Sequence, residues 1–332
     1  MTMAPRVTSK DVAREAGVSR ATVSYVLNRK STQSIPEPTR RRVLDAAARL
    51  NYSPSTAARL LRGARSHVVL LDLSDWPFSH NTLSMVEALR EVLGGHGYTL
   101  VLHTRGRSPA DTDVWRTITP AAAISLADFD SATAEAIRSA GTDVIISMFG
   151  RRATLGNTFA GNERRIASMQ IEHLASRGYR KLIYAAADED RFRQRSNARM
   201  AGARSVCRRL GIQEPTVAKI PTDIEGATSA VRDILRSDSA LTAAFCTNDD
   251  VGLAVLAGLR ANDATAPSAL GVIGVGDIPA AQLITPSLTT VRVDTTWVAT
   301  HMGQAILAAL NGEPSRLKSE KLPLTLIERE TT

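Results

Sequence analysis

Apolar runs alternate with amphipathic stretches throughout the chain after residue 65, and this alternation constrains the fold more than any other feature of the sequence. Buried strands alternating with helices predict an α/β fold with parallel sheets covered on both faces, and so many units predict two adjacent lobes. Helices are predicted at Arg195 to Leu210 and Asp249 to Ala261, among others. The runs predicted as strands are His67 to Leu73, Thr99 to His103, Ala121 to Leu126, Asp143 to Met148, Leu182 to Ala187, Val217 to Ile220, Thr242 to Cys246, Leu270 to Val275 and Leu288 to Val293.

Positive charge is concentrated before this region. Residues 1 to 65 contain thirteen Lys and Arg against four Asp and Glu, a local net charge of +9, whereas the whole chain of 332 residues carries +8. The basicity therefore belongs to one short segment attached to a neutral body, which is the electrostatic pattern of a nucleic-acid-binding module. A solvated basic surface is the alternative.

The basic segment contains a predicted pair of short helices joined at Gly17. Thr8 can cap the first helix, with Asp11 supplying an acid in its first turn. Gly17 suits the positive φ of a helix C-cap, and Ser19 can cap a second helix. The segment therefore predicts a helix-turn-helix.

The outward positions of the second helix carry groups that read DNA grooves. Arginine can grip guanine through two hydrogen bonds, alanine can contact a thymine methyl, and hydroxyls or an amide can hold phosphate or a base edge. A solvent-facing helix in a generic helical domain is the alternative. These positions are Arg20, Ala21, Ser24, Tyr25 and Asn28.

A third helix is predicted near residues 37 to 50, with Val43, Leu44, Ala47 and Leu50 at core spacing. Beyond it, a stretch of about nine residues from Pro54 to Gly63 is too short to be a stable helix alone in water. We expect that stretch to become ordered on binding.

At these residues the chain resembles the lac/galactose/purine repressor family. The resemblance implies that the second helix enters the major groove and that a short hinge helix from each subunit enters the minor groove, where Leu61 would wedge between base pairs. A leucine that only packs its helix is the alternative. The DNA-binding residues implied in this way are Thr8, Ser19, Arg20, Ala21, Thr22, Ser24, Tyr25, Asn28, Ser55, Ala58, Arg59 and Leu61.

Later segments of the chain resemble the same family and thus the periplasmic sugar-binding proteins that share its core fold. The resemblance implies a two-lobed, periplasmic-binding-protein-like α/β effector domain in which Arg199 and Asn248 contact a small molecule, with Asp249 beside them. For Asp249, a helix-capping role is the alternative. The segments that carry the resemblance are Glu172-His173-Leu174, Gly178-Tyr179-Arg180-Lys181, Arg199-Met200-Ala201-Gly202, Cys246-Thr247-Asn248-Asp249, Gly274-Val275-Gly276-Asp277 and Pro286-Ser287-Leu288-Thr289-Thr290-Val291.

Several positions depart from the family pattern. Relatives usually carry an aspartate where this chain has Gly276, and Asn162 and Ile166 replace an acid and a glycine. The missing aspartate weakens the case for an ordinary sugar effector. Trp76 and Phe78 follow the first predicted strand and could stack on a ligand ring, or equally pack the first lobe.

Enzyme chemistry finds little support in the sequence. The chain has no His-Glu-x-x-His or Gly-x-Ser-x-Gly element, and Cys207 and Cys246 form no Cys-x-x-Cys pair. We therefore expect no catalytic residue, no metal site, no cofactor and two core thiols. No signal peptide or apolar run of about 20 residues is evident, so we expect a cytoplasmic protein that does not contact membranes.

Together these features predict a transcription regulator, a homodimer on a near-palindromic operator of double-stranded DNA, controlled by a small molecule in a cleft between lobes. An effector-independent repressor and a pure small-molecule-binding protein are the alternatives. The predicted parts are a helix-turn-helix headpiece at 1–52, a hinge helix and linker at 53–65, and an effector-binding and dimerisation domain at 66–332.

Overall fold

The protein is described by a computed structural model that covers residues 7–27, 35–52, 66–74, 76, 78–104, 114–149, 156–188, 193–237, 242–313 and 321–332. The chain divides into two compact units, Met1–Ser66 and His67–Thr332. Within the described ranges, no helix combines the length and the apolar character that crossing a bilayer requires.

The first unit contains three helices in its described part: α1 (Ser9–Ala16), α2 (Arg20–Leu27) and α3 (Glu37–Arg49). Gly17 ends α1 in the left-handed conformation, with φ of 65° and ψ of 39°. The N–H of Val18 then donates to the carbonyl of Ala13 at 3.0 Å, which satisfies a carbonyl of the last turn. The predicted C-cap is confirmed, and it sets the angle at which α2 leaves α1.

One apolar cluster joins the three helices. Val12, Val23 and Val43 are at most 1% exposed and form its centre. Leu44, which we expected in this core, is 47% exposed, and Ala46 lies in the core instead. The reason is helical geometry, because position 46 shares a face with position 43 whereas position 44 is rotated by roughly 100° from it.

The first lobe of the second unit is built on a four-stranded parallel sheet in the order β2-β1-β3-β4. Helices cover both faces of this sheet, and the last of them returns to it from the far end of the chain. Its elements are β1 (Val68–Asp72), α4 (His80–Gly95), β2 (Thr99–His103), α5 (Val114–Ile118), β3 (Ala122–Ser125), α6 (Ser131–Ser139) and β4 (Val144–Ser147).

The second lobe contains a six-stranded sheet in the order β10-β9-β8-β7-β5-β6, parallel except for β10. Helices again cover both faces. Its elements, followed by the helix that returns to the first lobe, are α7 (Gly156–Ser176), β5 (Lys181–Ala187), α8 (Arg193–Leu210), β6 (Thr216–Ile220), α9 (Ile224–Ser237), β7 (Thr242–Cys246), α10 (Asp249–Ala261), β8 (Gly271–Val275), α11 (Pro279–Leu283), β9 (Thr289–Val293), β10 (Leu324–Ile327) and the returning helix α12 (Thr295–Leu310).

The predicted fold class is confirmed, and all nine predicted strands are present with ends that shift by at most one residue. Two features were not expected from the sequence. One is β10, an antiparallel strand at the edge of the second sheet, and the other is the return of α12 to the first lobe. In α12, Ala299, Met302 and Ile306 pack among the buried residues of β1 and α4. The chain therefore crosses between the lobes more than once.

Asp249 ties together three segments at one end of the second sheet. It opens α10 and is 1% exposed. Its Oδ1 accepts a hydrogen bond of 2.6 Å from the hydroxyl of Thr290, and its Oδ2 accepts one of 2.9 Å from the backbone N–H of Ile278. A Cβ on Gly274 would lie 2.1 Å from Oδ1, so the carboxylate reaches this position only because residue 274 is glycine.

Burial raises the pKa of Asp249 to about 6, although the hydrogen bonds from Thr290 and Ile278 oppose the shift. A carboxyl whose pKa is higher in the folded state than in the unfolded state binds protons more readily when folded. Its contribution to stability is therefore complete below about pH 4 and is lost as the pH rises through about 6.

We expect Asp249→Asn, which cannot ionise, to gain stability relative to the wild type as the pH rises from about 4 to about 7. The gain should be on the order of 3 kcal/mol, the value of a shift of about two pKa units. Denaturant unfolding of both proteins at a series of pH values measures it. A difference in unfolding free energy that stays constant over this range would contradict the assignment, whatever fixed offset the amide introduces.

Candidate functional site

The outer face of α2 presents the predicted groove-reading groups of the first unit. Arg20 and Ala21 are exposed in its first turn, while Ser24 and Tyr25 are partly buried along the same helix. Among the described residues, the side chain of Arg20 forms no hydrogen bond or ion pair. An exposed guanidinium at the start of a helix is therefore available to a partner outside the unit.

The starts of α1 and α2 are both held by hydroxyl side chains. The N–H and hydroxyl of Thr8 donate to Asp11 at 3.0 and 2.7 Å, and these hydrogen bonds hold the pKa of the Asp11 carboxyl below its usual value. Ser19 accepts a hydrogen bond of 3.1 Å from the N–H of Thr22, and the two hydroxyls lie 2.9 Å apart. Each exposed helix start concentrates backbone N–H groups, a geometry suited to an anion.

Five of the predicted DNA-binding residues lie outside the described residues. They are Asn28, Ser55, Ala58, Arg59 and Leu61.

The second unit has a cavity between its lobes, on the side where the parallel strands end. Residues that follow β1, β4, β7 and β9 line it, namely Trp76, Phe149, Asn248 and Thr295. Parallel strands bring their carboxyl ends to one edge of each sheet, so the residues after them converge on a common space. The alternation of strands and helices in the sequence predicts a small-molecule site at this place.

The cavity has a volume of about 150 Å³, and most of its wall is apolar. The first lobe contributes aromatic and aliphatic side chains from the strand ends, α4 and α12, and the second lobe contributes branched aliphatic side chains. These apolar wall residues are Trp76, Met85, Phe149, Trp297, Val298 and Met302 from the first lobe, and Ile166, Val275, Val293 and Leu322 from the second.

Arg199 does not reach the cavity wall. Its side chain is 1% exposed. Its Nε donates a hydrogen bond of 2.9 Å to Glu163, and its Nη2 also donates to Glu163, a residue that does line the cavity. Its Nη1 lies 3.4 Å from both the side-chain oxygen of Gln170 and the backbone oxygen of Thr247. The guanidinium predicted to bind an effector is thus bound by the protein itself.

Glu163 stands between two guanidiniums, because Arg195 donates to its second oxygen at 3.1 Å. Burial alone would raise the pKa of Glu163, but the charges and hydrogen bonds of Arg199 and Arg195 outweigh burial and hold the pKa below its ordinary value. The carboxylate therefore stays ionised at neutral pH. A buried charge of this kind is tolerated only with such partners.

Arg195 also connects the two lobes. Its guanidinium carbon lies 5.4 Å from the ring centroid of Trp76, a cation–π distance, and Trp76 in turn lies 5.3 Å from the ring of Phe149. Glu163 thereby orients a cation from the second lobe onto an aromatic pair of the first.

The remaining predicted effector residues are distributed differently. Asn248 lines the cavity and also caps α10, since its Oδ1 accepts the N–H of Val251 at 3.0 Å. Asp249 does not line the cavity, because both its oxygens are engaged within the second lobe as described above. Phe78 is 56% exposed and borders a separate groove that opens between Leu83 and Ile224.

The glycine at position 276 has a physical explanation. Its φ is +138°, and a Cβ there would lie 2.7 Å from the side-chain amide nitrogen of Asn81. Asn81 belongs to α4 of the first lobe and occupies the space into which a side chain at 276 would project. A side chain at position 276 would therefore collide with Asn81.

Sequence reasoning missed Glu163, although a signal was present. Positions 163, 166, 167, 170 and 174 repeat at helical spacing and form the buried face of α7. A carboxylate on such a face requires a buried cation as its partner, and Arg199 holds the matching place on the buried face of α8.

Within the described residues, no three His, Cys, Asp or Glu side chains are grouped as metal ligands would be. Cys207 and Cys246 are both buried free thiols, as expected, and burial raises the pKa of each.

Comparisons with known proteins match the two units separately. The family model for bacterial regulatory proteins of the lacI family matches residues 8–55, and the model for a periplasmic binding protein-like domain matches residues 171–332. The first match contains α1, α2 and α3, and the second begins near the C-terminal end of α7 and contains every strand of the second sheet.

Similarity to curated relatives runs over nearly the whole chain. A relative from Photobacterium profundum, HTH-type transcriptional repressor PurR, is 28% identical over 295 residues, which cover 86% of each chain. HTH-type transcriptional regulator GntR from Pseudomonas aeruginosa is 25% identical, covering 98% of this chain and 96% of the relative. Both names describe regulators of transcription, in line with the prediction that this chain is not an enzyme.

Solved structures share the fold. A lac repressor dimer bound to operator and the anti-inducer ONPF has a TM-score of 0.79 at 22% identity and covers 98% of this chain and 99% of its own. A complex of the transcriptional regulator CelR with cellobiose has a TM-score of 0.61 at 24% identity over 98% of this chain and all of its own. By these matches the headpiece is of the lacI type and the rest of the chain contains a periplasmic binding protein-like domain, in the same order as in these regulators.

Proposed function

We propose that this protein is a homodimeric repressor of transcription that binds a near-palindromic operator and responds to a small molecule in its cleft. The observation that carries the proposal is the Gly17 turn, which holds α2 with Arg20 and Ala21 exposed, in the segment that matches the lacI family. A regulator of transcription acts on the chromosome, so the proposal includes a cytoplasmic location.

The first turn of α2 is the proposed reader of base edges. In helix-turn-helix proteins the second helix enters the major groove with its N-terminal residues against the bases. Arg20 has the donors for guanine O6 and N7, and Ala21 presents a methyl group of the kind that contacts thymine. Tyr25 and Ser24 follow one turn later and would extend the contact along the groove.

Phosphate contacts would fix the register of this helix. Thr8 lies at the exposed start of α1, and Ser19 and Thr22 lie at the exposed start of α2. Hydroxyls and helix N-termini are common ligands of DNA phosphates, and the local net charge of +9 adds a sequence-independent attraction that weakens as salt rises. Ser55, Ala58, Arg59 and Leu61 complete the proposed set as hinge contacts in the minor groove.

The proposed division of labour follows three parts of the chain. Residues 1–52 read the operator, residues 53–65 form the hinge, and residues 66–332 bind the effector and form the dimer. An effector that changes the angle between the lobes would move the two hinges of the dimer together or apart. Couplings of this type are typically worth about 1 to 3 kcal/mol.

An exposed apolar groove supports dimer formation by the second unit. Phe78, Leu83 and Ile224 are each at least 50% exposed, and together with Leu253 they border the same groove, which both lobes contribute to. Large apolar side chains grouped on an exposed surface mark interaction sites more often than scattered ones do. We assign this groove to the contact with a second copy of the chain.

We expect Arg20→Ala to weaken binding to an operator obtained by selection from random duplexes by about 10- to 100-fold, which corresponds to a lost bidentate base contact of about 1 to 3 kcal/mol. Binding to a scrambled duplex should fall only slightly. Arg14→Ala is the matched control, because Arg14 is an exposed arginine of α1 that pairs with Asp11. The control should lower both affinities by similar factors, as a lost phosphate attraction does. Equal losses on both duplexes for Arg20→Ala would exclude it as a base reader.

We expect Leu83→Glu to raise the dimer dissociation constant at least about tenfold, because the symmetric interface would bury an uncompensated carboxylate twice. Sedimentation equilibrium over a range of concentrations measures it. Leu102→Glu is the control, since Leu102 is similarly exposed on β2 but does not border the groove. A Leu83→Glu protein that dimerises as tightly as wild type would remove the groove from the interface.

A further inference from the structure

This inference deepens the effector role proposed above and rests on it. We infer that the cleft binds a small uncharged compound with a single ring and few polar groups, rather than an acid, a phosphate or a hydroxyl-rich sugar. Three properties of the cavity carry the inference: its charge, its hydrogen-bonding groups and its size.

Among the described residues of the cavity wall, Glu163 and Arg195 form an ion pair. Glu163 and Arg195 both line the cavity and are joined by a hydrogen bond of 3.1 Å. Arg199 donates its hydrogen bonds to Glu163 from the side away from the cavity and is not one of the residues that line it. Glu163 holds Arg195 and also separates the cavity from Arg199, so an anionic ligand at either guanidinium would have the Glu163 carboxylate beside it, and like charges at close range disfavour ionisation of both. A cationic ligand would meet a carboxylate whose two oxygens already have guanidinium partners.

Several polar side chains of the described wall already have hydrogen-bond partners within the protein. The hydroxyls of Ser79 and Thr82 lie 3.0 Å apart. Thr247 is bonded to the hydroxyl of Tyr184 at 3.0 Å and to the backbone N–H of Ala187 at 3.1 Å. A sugar would lose water from several hydroxyls, and each buried polar group without a partner costs binding energy.

A few polar groups remain to orient a ligand. The amide of Asn81 projects from the first lobe toward Gly276, and Thr295 follows β9 at the cavity. Asn248 also lines the cavity, although its Oδ1 caps α10. These positions suit one or two polar substituents on an otherwise apolar molecule. Such a ratio of apolar wall to polar groups is typical of sites that bind apolar ligands with a fixed orientation.

The size and the walls favour a single ring. A cavity of about 150 Å³ lined by aliphatic and aromatic side chains is large enough for benzene. The rings of Trp76, Phe149 and Trp297 all border this space, opposite the aliphatic side chains of the second lobe. Aromatic walls on one side and branched aliphatic walls on the other match the faces and edges of a flat ring.

The test is isothermal titration calorimetry of the full-length protein with three probes: benzyl alcohol, benzoate and glucose. Benzyl alcohol and benzoate share a ring and differ in charge, whereas glucose is uncharged and rich in hydroxyls. We expect benzyl alcohol to bind with one site per chain and at least tenfold more tightly than either of the others. Tighter binding of benzoate or glucose overturns the inference, and so does binding of none of the three.

Glu163→Gln tests the charge argument directly. Without the carboxylate, Arg195 and Arg199 lack their internal anion, so benzoate should gain at least tenfold in affinity while benzyl alcohol changes by less than threefold. Glu172→Gln is the control, because Glu172 is an exposed carboxylate on the same helix that pairs with Arg209, and it should leave both affinities unchanged. Unaltered benzoate binding in a folded Glu163→Gln protein overturns the inference. If that variant does not fold, the ranking of the three probes on the wild type decides alone.

None of these titrations contains DNA. A failure here therefore leaves the reading of an operator by α2 untouched. Binding of none of the three probes favours an effector-independent repressor, whereas tighter binding of benzoate or glucose favours an effector of another chemical class. A failure of Arg20→Ala to alter operator preference leaves the ligand ranking untouched.

Discussion

The second unit depends on one buried carboxylate, Glu163, held between Arg199 and Arg195. The pair joins α7 to α8, and Gln170 extends it to the sheet by donating to the backbone oxygens of Cys246 and Gly274 at 3.2 Å. Removing one member of a buried ion pair typically costs about 3 to 5 kcal/mol, because the other charge is left without compensation. The contacts that stabilise the lobe therefore also determine which charged groups are accessible to a ligand in the cleft.

The position of the ligand and the chemistry of the ligand depend on different features of this domain. The fold brings the strand ends of both lobes to one cavity, whatever the side chains are, so the place of the ligand follows from topology. The chemistry of the ligand follows from a few side chains, and here Glu163 and Asn81 alter it by occupying the surroundings of Arg199 and Gly276. In the proposal, position and specificity are thus set by different parts of the sequence, and the first follows from a fold that this chain shares with solved regulators.

Periodicity in the sequence was sufficient to predict the strands, the two lobes and the Gly17 turn, because each depends on local spacing or on one residue type. It was insufficient for features that depend on a partner distant in the chain. Arg199 and Glu163 are 36 residues apart, and nothing local indicates that one neutralises the other. Val43 and Ala47 lie in the core as expected, but Leu44 was misplaced because residue 44 is rotated by roughly 100° from residue 43 around the helix. The strand β10 was missed because it lies at a sheet edge, where burial and its pattern are weak.

The most direct test of the whole account is to select DNA fragments from a random pool with the purified full-length protein at low salt and to sequence the fragments that bind. The account predicts one enriched, near-palindromic sequence whose half-sites lie about 34 to 36 Å apart, one helical turn of DNA, as a symmetric pair of headpieces requires. Recovery of fragments with no enriched sequence, from a folded protein at low ionic strength, would contradict it.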